Sequence, residues 1–151
     1  MAQSLSKMLV HVIFSTKNRY GFLVDESLRR EMHAYLASIF KAYDSPSLIT
    51  GGTEDHVHVL CSLSRNQAIS KVIGEAKRNS SKWIKSKRGR STKFQWQSGY
   101  GAFSVSPSQL AQVRAYIASQ AEHHRKMTFQ EEFRKFLQRY EIDYDERYVW
   151  D

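Results

Sequence analysis

Apolar and polar positions alternate along the chain with two different periods, and these periods predict strands and helices. Residues 8–15 are apolar and rich in β-branched side chains, which predicts a first strand. Residues 25–43 carry apolar side chains at intervals of three and four, behind an aspartate that can cap a helix. Residues 48–50 and 55–63 lie on either side of a double-glycine turn and predict two further strands.

The second half of the chain shows the same two periods. Residues 67–85 predict a second long helix, and residues 94–97 with 100–105 predict a hairpin-like pair of strands. A third helix is predicted to begin at Pro107, because proline is tolerated in the first turn of a helix. A fourth helix is predicted over residues 128 to about 140, where a threonine followed three residues later by a glutamate indicates a capping box.

The order of these elements, β-α-β-β-α-β followed by further helices, defines the predicted fold. It is the ferredoxin-like arrangement of an α+β protein, with an antiparallel sheet, helices on one face and additional C-terminal helices. No internal repeat, low-complexity tract or linker interrupts the 151 residues, so a single domain over 1–151 is expected. Residues 142–151 are acidic and aromatic, and we expect them to form an ordered but irregular tail.

Several features of the sequence bear on where the protein acts. No apolar run approaches the length of a membrane span, and the N-terminus lacks the pattern of a signal peptide. The single cysteine, Cys61, cannot form an internal disulfide, and the role expected for it is that of a small buried side chain. We therefore expect a cytoplasmic protein without a membrane partner.

The formal net charge of +8 is concentrated in one segment. Nine basic residues and one acid, Glu75, lie between positions 71 and 93, and the charges of the rest of the chain balance. The basic residues are Lys71, Lys77, Arg78, Lys82, Lys85, Lys87, Arg88, Arg90 and Lys93. A localised basic stripe is typical of a surface that binds a polyanion such as nucleic acid, although a solvated helix face has the same composition.

Two histidines, His56 and His58, flank one valine in a predicted strand. Successive side chains of a strand alternate between faces, so the two imidazoles point the same way and can bind one metal ion. The alternative is a pair of partly buried, hydrogen-bonded histidines. By the same alternation Glu54 shares the histidine face and is a candidate outer or weak extra ligand, whereas Asp55 points to the opposite face.

Tyr116 and Gln120 are four residues apart on the predicted third helix, and such positions share a helix face. Gln120 lies near the centre of the apolar stripe, where a carboxamide without a partner is destabilising. Coordination of a metal ion through its oxygen would supply that partner. Tyr116 lies at the edge of the stripe, where it is either a packed boundary residue or a nucleophile beside the metal.

Two further groups are candidates for contact with nucleic acid. His123 and His124 follow the tyrosine closely and suit either the C-terminal dipole of a helix or a phosphate. Trp96 and Tyr100 belong to an aromatic and glycine cluster after the basic segment, where their rings suit either unstacked bases or the core. The sequence lacks a GxxxxGK[ST] loop, a GxGxxG loop, a CxxC pair and the carboxylate cluster of two-metal nucleases, so no nucleotide cofactor or structural zinc is expected.

Four motifs together resemble those of the single-tyrosine HUH transposases of small insertion sequences, which move as single-stranded DNA. The motifs are Asp55-His56-Val57-His58, Lys77-x-x-Ser80-Ser81, Trp96-Gln97-x-Gly99-Tyr100-Gly101 and Tyr116-Ile117-x-x-Gln120-x-x-His123-His124. The similarity spans nearly the whole chain, from the first strand to the fourth helix. One departure is Glu54, where many members of that family have a proline.

The resemblance implies an activity as well as a fold. It implies DNA cleavage and strand transfer with Tyr116 as nucleophile, through a 5′-phosphotyrosine intermediate. It implies a Mg²⁺ or Mn²⁺ ion held by His56, His58 and Gln120. The residues expected to contact DNA are Lys71, Lys77, Arg78, Lys82, Lys85, Arg88, Trp96, Tyr100, His123 and His124.

The partners that the resemblance implies are single-stranded DNA and a second copy of the chain. The DNA carries small hairpins at the ends of the mobile element. The second copy forms an obligate homodimer, in which the tyrosine helix of one subunit serves the histidine pair of the other. A prokaryotic, nucleoid-associated location follows from such a substrate.

Three other interpretations of these residues remain open. A domesticated relative, or a nickase of the replication or mobilisation type, would keep all of the reactive groups, although the helicase or primase domain of a replication initiator is missing from the sequence. A module that binds structured single strands without catalysis would need none of them. A small metallohydrolase with a metal-bound water would prefer Zn²⁺ and would form no covalent adduct with DNA.

Overall fold

The computed structural model of the chain describes residues 2–87 and 93–151. Its strands are β1 Leu9–Ser15, β2 Ser47–Gly52, β3 His56–Ser62 and β4 Gly101–Val105. They form an antiparallel sheet in the order β2-β3-β1-β4. The α-helices are α1 Glu26–Ala42, α2 Ile69–Ser86, α3 Leu110–Ala118, α4 Gln120–His123 and α5 Phe129–Arg139. None of the helices in this part of the chain is long and apolar enough to cross a membrane.

The order of elements and the strand order confirm the predicted ferredoxin-like, α+β fold. Two predicted helix starts are also confirmed by their caps. The side chain of Asp25 accepts hydrogen bonds from the backbone N–H groups of Ser27 and Leu28, at 2.9 and 3.3 Å, and caps α1. The hydroxyl of Thr128 accepts from the backbone N–H of Glu131 at 3.1 Å and caps α5.

The alternation of side chains along the strands gives the sheet two different faces. One face packs against α1 and α2 in the larger apolar core, to which Val12 of β1 and Val59 of β3 contribute. The other face carries Ile13, which packs with Phe103 of β4 and Phe133 of α5 in a smaller core. The helices predicted on one face are α1 and α2, and the C-terminal helices cover the opposite face.

The predicted pairing of residues 94–97 with 100–105 is wrong. β4 pairs with the first part of β1, and Trp96 forms an isolated bridge with the residue that follows β1. The backbone N–H of Gln97 donates to the carbonyl of Ser15 at 2.9 Å, and its side-chain oxygen accepts from the N–H of Ser15 at 2.7 Å. Because these bonds use the backbone groups that a hairpin would need, the two segments follow one another along the same side of β1.

The predicted third helix is interrupted. A 3-10 turn, Pro107–Gln109, precedes α3, and Ser119 leaves the helical region (φ −105°, ψ 24°) before α4 begins. The hydroxyl of Ser119 donates to the carbonyl of Ala115 at 3.0 Å, a local bond that competes with regular helix geometry. Tyr116 and Gln120 therefore belong to two helices instead of one, although the carboxamide of Gln120 still donates to the carbonyl of Tyr116 at 3.3 Å.

A glycine allows α3 to approach the sheet closely. A Cβ atom at Gly51 in β2 would lie only 2.9 Å from the carbonyl oxygen of Ile117 in α3. Any other residue at that position would push the helix away from the strand. Because Tyr116 precedes Ile117, the absence of a side chain at Gly51 helps to determine how near the tyrosine comes to β3.

The C-terminal residues follow an irregular path, as the sequence predicts, and pack against α5. Arg134 of α5 forms an ion pair with Glu146 at 2.7 Å. The ring of Trp150 lies 6.0 Å from that of Phe133. The carbonyl of Asp151 accepts a hydrogen bond from the backbone N–H of Gly99 at 2.8 Å, so the tail also contacts the loop before β4.

Candidate active site

His56 and His58 lie on β3 with no exposed surface. Their rings are 5.1 Å apart, and both face the C-terminal helices, as strand alternation predicts. The pairing register places His58 opposite Ile13 of β1, so the histidines lie next to the smaller apolar core. The sheet therefore holds two imidazoles side by side in a buried position.

His11 of β1 orients His58. Nδ1 of His58 is hydrogen bonded to Nε2 of His11 at 2.8 Å. Burial lowers the pKa of His58 to about 4 and the pKa of His11 to about 3, so both rings are neutral near pH 7. With Nδ1 engaged by His11, Nε2 of His58 is the nitrogen that faces the centre of the site, which is the usual arrangement for a metal-binding imidazole.

Asp55 and Thr53 orient His56 in a similar way. Nδ1 of His56 lies 2.7 Å from Oδ1 of Asp55 and 2.9 Å from the hydroxyl of Thr53. Burial would raise the pKa of Asp55, but the hydrogen bond and charge of His56 outweigh it and hold that pKa below its usual value. Strand alternation predicts Glu54 as the residue beside the histidines. Asp55 contacts Nδ1 of His56 instead, because Asp55 lies in the turn before β3, where the alternation of strand side chains does not apply.

Tyr116 lies beside the histidines of its own chain. Its ring is 5.9 Å from that of His58, and its hydroxyl donates a hydrogen bond to Oε2 of Glu132 and lies 3.2 Å from Nε2 of His123. Burial and the negative charge of Glu132 raise the pKa of Tyr116 above its usual value. The phenol is therefore protonated near pH 7 and is held in a defined direction.

Gln120 is buried and has partners on both ends of its carboxamide. Its Oε1 lies 3.2 Å from Nε2 of His56, and its Nε2 lies 3.4 Å from Oε2 of Glu132. Gln120 therefore has the partners expected of a polar group on an apolar helix face. The oxygen of its carboxamide therefore points toward the histidine pair.

Glu132 of α5 lies at the centre of the site and is not among the residues predicted from sequence. Its Oε1 is 3.1 Å from Nε2 of His58, 3.1 Å from Nε2 of His124 and 3.5 Å from Nε2 of His56. Burial would raise the pKa of Glu132, but the close contacts with His124 and His58 outweigh it and hold that pKa well below its usual value. An ionised carboxylate is thus buried among imidazoles.

The sequence does contain a signal for Glu132. It follows Phe129 by three positions and precedes Phe136 by four, so it lies within the apolar stripe of α5. A charged residue in such a stripe needs buried partners. Glu132, like Gln120, is a polar residue on an apolar helix face, and its need for partners is greater because a buried carboxylate is more costly than a buried amide.

The residues at this site fit a divalent metal ion. Ligand atoms of His56, His58, His124 and Glu132 lie within 4.8 Å of one another. Metal–ligand bonds of about 2.0–2.2 Å at tetrahedral or octahedral angles separate neighbouring ligand atoms by roughly 2.8–3.6 Å, which is the range of the distances to Glu132. Nε2 of His124 is buried without a hydrogen bond although it faces Glu132, an arrangement that suits two ligands of one ion.

The predicted DNA-contacting residues of α2 lie on the other side of the sheet from this site, because α2 packs in the larger core. Lys71, Lys82 and Lys85 are exposed there. Arg78 forms an ion pair with Glu75 on the same helix. Arg88 lies outside the described residues. His123 and His124, by contrast, lie at the site itself, next to Tyr116 and Glu132.

Lys77 and Trp96 are engaged in contacts within the protein. The ammonium of Lys77 donates to backbone carbonyls of residues 97–99 at 2.5–3.3 Å, and burial lowers its pKa to about 8. Trp96 is only 8% exposed and donates from Nε1 to the hydroxyl of Ser80 at 2.9 Å. Tyr100 is 37% exposed. Of the two predicted stacking residues, Tyr100 is partly exposed, with the ammonium of Lys77 5.7 Å from its ring centroid, and Trp96 packs in the core.

Three comparisons show which known proteins this chain is similar to. A family model described as "Transposase IS200 like" matches residues 4–120. A Deinococcus radiodurans R1 chain that is assigned as a transposase superimposes with a TM-score of 0.60 at 23% identity, covering 80% of this chain and 95% of that one. A REP-associated tyrosine transposase bound to a REP hairpin superimposes with a TM-score of 0.60 at 12% identity, covering 82% and 73%. No curated protein matches the sequence significantly.

Proposed function

Since the chain belongs to the family of IS200-like transposases, we propose that it cleaves and rejoins single-stranded DNA through a 5′-phosphotyrosine on Tyr116. The observation that carries the proposal is the position of Glu132, whose carboxylate contacts both the phenol of Tyr116 and the imidazole of His58. A nucleophile and a pair of metal-binding groups in one buried cluster are what this reaction requires.

The metal ion in this proposal is Mg²⁺ or Mn²⁺, held by His56, His58 and Gln120, with the carboxylate of Glu132 beside them at 3.1 Å from Nε2 of His58. Support comes from the two imidazoles, whose Nδ1 atoms are engaged by outer partners while their Nε2 atoms face inward. The oxygen of Gln120 lies 3.2 Å from one of those inward nitrogens. When bound, such an ion supplies positive charge to a non-bridging oxygen of the scissile phosphate.

The protein's own part in the reaction begins with the hydroxyl of Tyr116. Its attack forms a bond between the phenolic oxygen and phosphorus and breaks the bond between phosphorus and the 3′ oxygen of the preceding nucleotide. The hydrogen bond to Glu132 holds the phenolic oxygen in a defined direction. The phenolic proton is released to solvent as the bond to phosphorus forms, and the departing 3′ oxygen takes up a proton from solvent. The products are a tyrosyl 5′-phosphodiester and a strand with a free 3′-OH.

The tyrosyl phosphodiester keeps the chemical energy of the bond that was broken. Another 3′-OH can therefore attack the same phosphorus, release Tyr116 and join a new strand. No step of this exchange consumes a nucleotide triphosphate, which agrees with the lack of a nucleotide-binding motif in the sequence.

The exposed cations of α2 support binding to the DNA backbone. Lys71, Lys82 and Lys85 lie along one helix and provide a positive stripe. Binding by such a stripe weakens steeply as salt rises, because each phosphate contact releases counterions. Support for hairpin ends as the bound form comes from the structurally similar transposase that is bound to a REP hairpin.

A covalent adduct is the expected result when the protein is incubated with labelled single-stranded DNA from its own locus and Mg²⁺. The adduct should survive denaturing electrophoresis and map to Tyr116 by mass spectrometry. Chelation should abolish it, and His58→Ala should reduce it by about 100-fold or more because a metal ligand is lost. His33→Ala, on α1, is the matched control. Turnover without an adduct would favour a metal-bound water, and binding without turnover would favour a non-catalytic module.

We also propose a homodimer with shared active sites, although the described chain brings Tyr116 to its own histidines. Sharing then requires α3 to move from this position to the other subunit. Co-expressed Tyr116→Phe and His58→Ala subunits are expected to regain adduct formation, because a shared dimer contains one site with both an intact tyrosine and intact histidines. Mixed dimers that stay inactive would show that each chain uses its own tyrosine.

A further inference from the structure

A cavity of about 690 Å³ opens beside Tyr116, between β4, α3 and α5. Its inner end is lined by His11, Tyr116 and Glu132, which belong to the candidate active site. The volume lies within the range of about 300–1,000 Å³ that is usual for small-ligand pockets. Space for a ligand is therefore continuous with the hydroxyl of the nucleophile.

One wall of the cavity is aromatic. Phe136 of α5 packs on Phe103 with 5.2 Å between ring centroids, and Tyr140 follows one turn later. The hydroxyl of Tyr140 donates to the backbone carbonyl of Ser104 at 2.7 Å. This hydrogen bond fixes the orientation of the Tyr140 ring, and the residue is 38% exposed. Rings that are fixed in place and partly exposed suit the faces of unstacked bases.

The mouth of the cavity is cationic. Lys135 and Arg139 lie one turn apart on α5, and both are exposed. The guanidinium of Arg139 lies 5.7 Å from the ring centroid of Phe136, so charge and aromatic surface adjoin. Among the described residues that line the cavity, the one carboxylate is Glu132 at the inner end, where it contacts Tyr116 and the histidines. An anionic ligand is therefore favoured at the mouth.

The opposite side of the cavity carries hydrogen-bonding groups without charge. Gln109 and Gln112 lie on the 3-10 turn and on α3, and both are exposed. Each carboxamide offers both donors and an acceptor, the combination with which proteins read the edges of bases. Rings, cations and carboxamides thus surround one space, and these are the groups that recognise the base and the phosphate of a nucleotide.

We infer that this cavity binds one unstacked nucleotide of the single strand next to the scissile phosphate. Its base lies against the wall of Phe136 and Tyr140, and its phosphate lies near Lys135 and Arg139. The carboxamide of Gln112 contacts the edge of the base. The inference rests on the proposed function, because the cavity matters in this way only if single-stranded DNA reaches Tyr116. It adds a nucleotide site on the face of the sheet opposite the basic stripe of α2.

The test uses the Tyr116→Phe protein, which should bind DNA without cleaving it, and two probes. One is a thymidine pentanucleotide with 2-aminopurine at its centre, and the other is a single strand of 30 nucleotides. Lys135→Gln combined with Arg139→Gln should weaken pentanucleotide binding by about tenfold and lower the salt dependence of log K by about 0.7, because both cations lie near one phosphate and each phosphate contact on a single strand contributes about 0.7. Gln112→Ala should change the 2-aminopurine fluorescence of the complex.

The matched control is Lys82→Gln combined with Lys85→Gln on α2, which removes the same charge from the opposite face. It should weaken binding of the long strand and leave pentanucleotide binding within twofold. Two results would overturn the inference and leave the proposed function intact. One is equal pentanucleotide affinity of the Lys135→Gln, Arg139→Gln protein and its parent. The other is a protein that binds the long strand but not the pentanucleotide. If the Tyr116→Phe protein binds neither the pentanucleotide nor the long strand, the proposed function itself is contradicted. Circular dichroism and the thermal unfolding midpoint show whether each variant is folded.

Discussion

Tyr116→Phe is expected to abolish covalent adduct formation with single-stranded DNA while leaving DNA binding within about threefold. The substitution removes one oxygen and keeps the ring, which packs against His11 and Phe136. Without the phenolic oxygen, no bond to phosphorus can form. The measurements are the covalent adduct on a denaturing gel and the affinity for the same strand by fluorescence anisotropy.

Tyr140→Phe is the matched control for this prediction. Tyr140 lines the same cavity, but its hydroxyl bonds to the carbonyl of Ser104 and not to the histidine cluster. Loss of that hydroxyl should leave adduct formation within about twofold. Nicking of DNA that persists in the Tyr116→Phe protein would remove Tyr116 from its proposed role, whereas equal loss in both variants would point to damage to the fold.

Glu132→Gln is expected to weaken binding of Mn²⁺ by about tenfold or more. The carboxylate is buried and lies 3.1–3.5 Å from the Nε2 atoms of His56, His58 and His124, so it supplies negative charge at the point where a cation would bind. An amide of the same shape keeps the volume and removes that charge. Isothermal titration calorimetry with Mn²⁺ in the absence of DNA measures the affinity without reference to activity.

Glu131→Gln is the control for Glu132→Gln, because Glu131 is the adjacent residue on α5 and is exposed. Its replacement should leave Mn²⁺ affinity unchanged within twofold. A higher affinity in the Glu132→Gln protein would mean that the carboxylate occupies the position of the ion and competes with it. No Mn²⁺ binding by the unaltered protein would contradict the metal site as a whole, and equal affinity of both variants would contradict the role of Glu132 alone.

The strands β1 to β3, the helices α1, α2 and α5 and the histidine pair were predictable from sequence, because they depend on local periods. Strand alternation alone places His56 and His58 on one face, and the caps at Asp25 and Thr128 act within three residues. The break at Ser119 was not predicted, since a serine in an apolar helical pattern gives no sign of which backbone bond its hydroxyl will form.

The errors in strand pairing and in the outer ligands have a different origin. The segment that contains Gln97 pairs with the end of β1 because of bonds between residues 82 positions apart, which no local pattern encodes. The partner of His58 is His11, 47 positions away in the chain. The basic stripe was predictable as a cluster, but its place on the sheet face opposite the candidate active site depends on how α2 packs.

The sequence by itself therefore determined the order of the main helices and strands and the candidate site residues His56, His58, Gln120 and Tyr116. Only the tertiary structure decided that Glu132 lies among them, because the packing of α5 on the sheet brings it to His58 across 74 positions of chain. It also decided that the cavity beside Tyr116 carries the cations of α5. The physical reason is that periodicity specifies which face of an element is apolar, whereas the contact between two faces depends on the shapes of both.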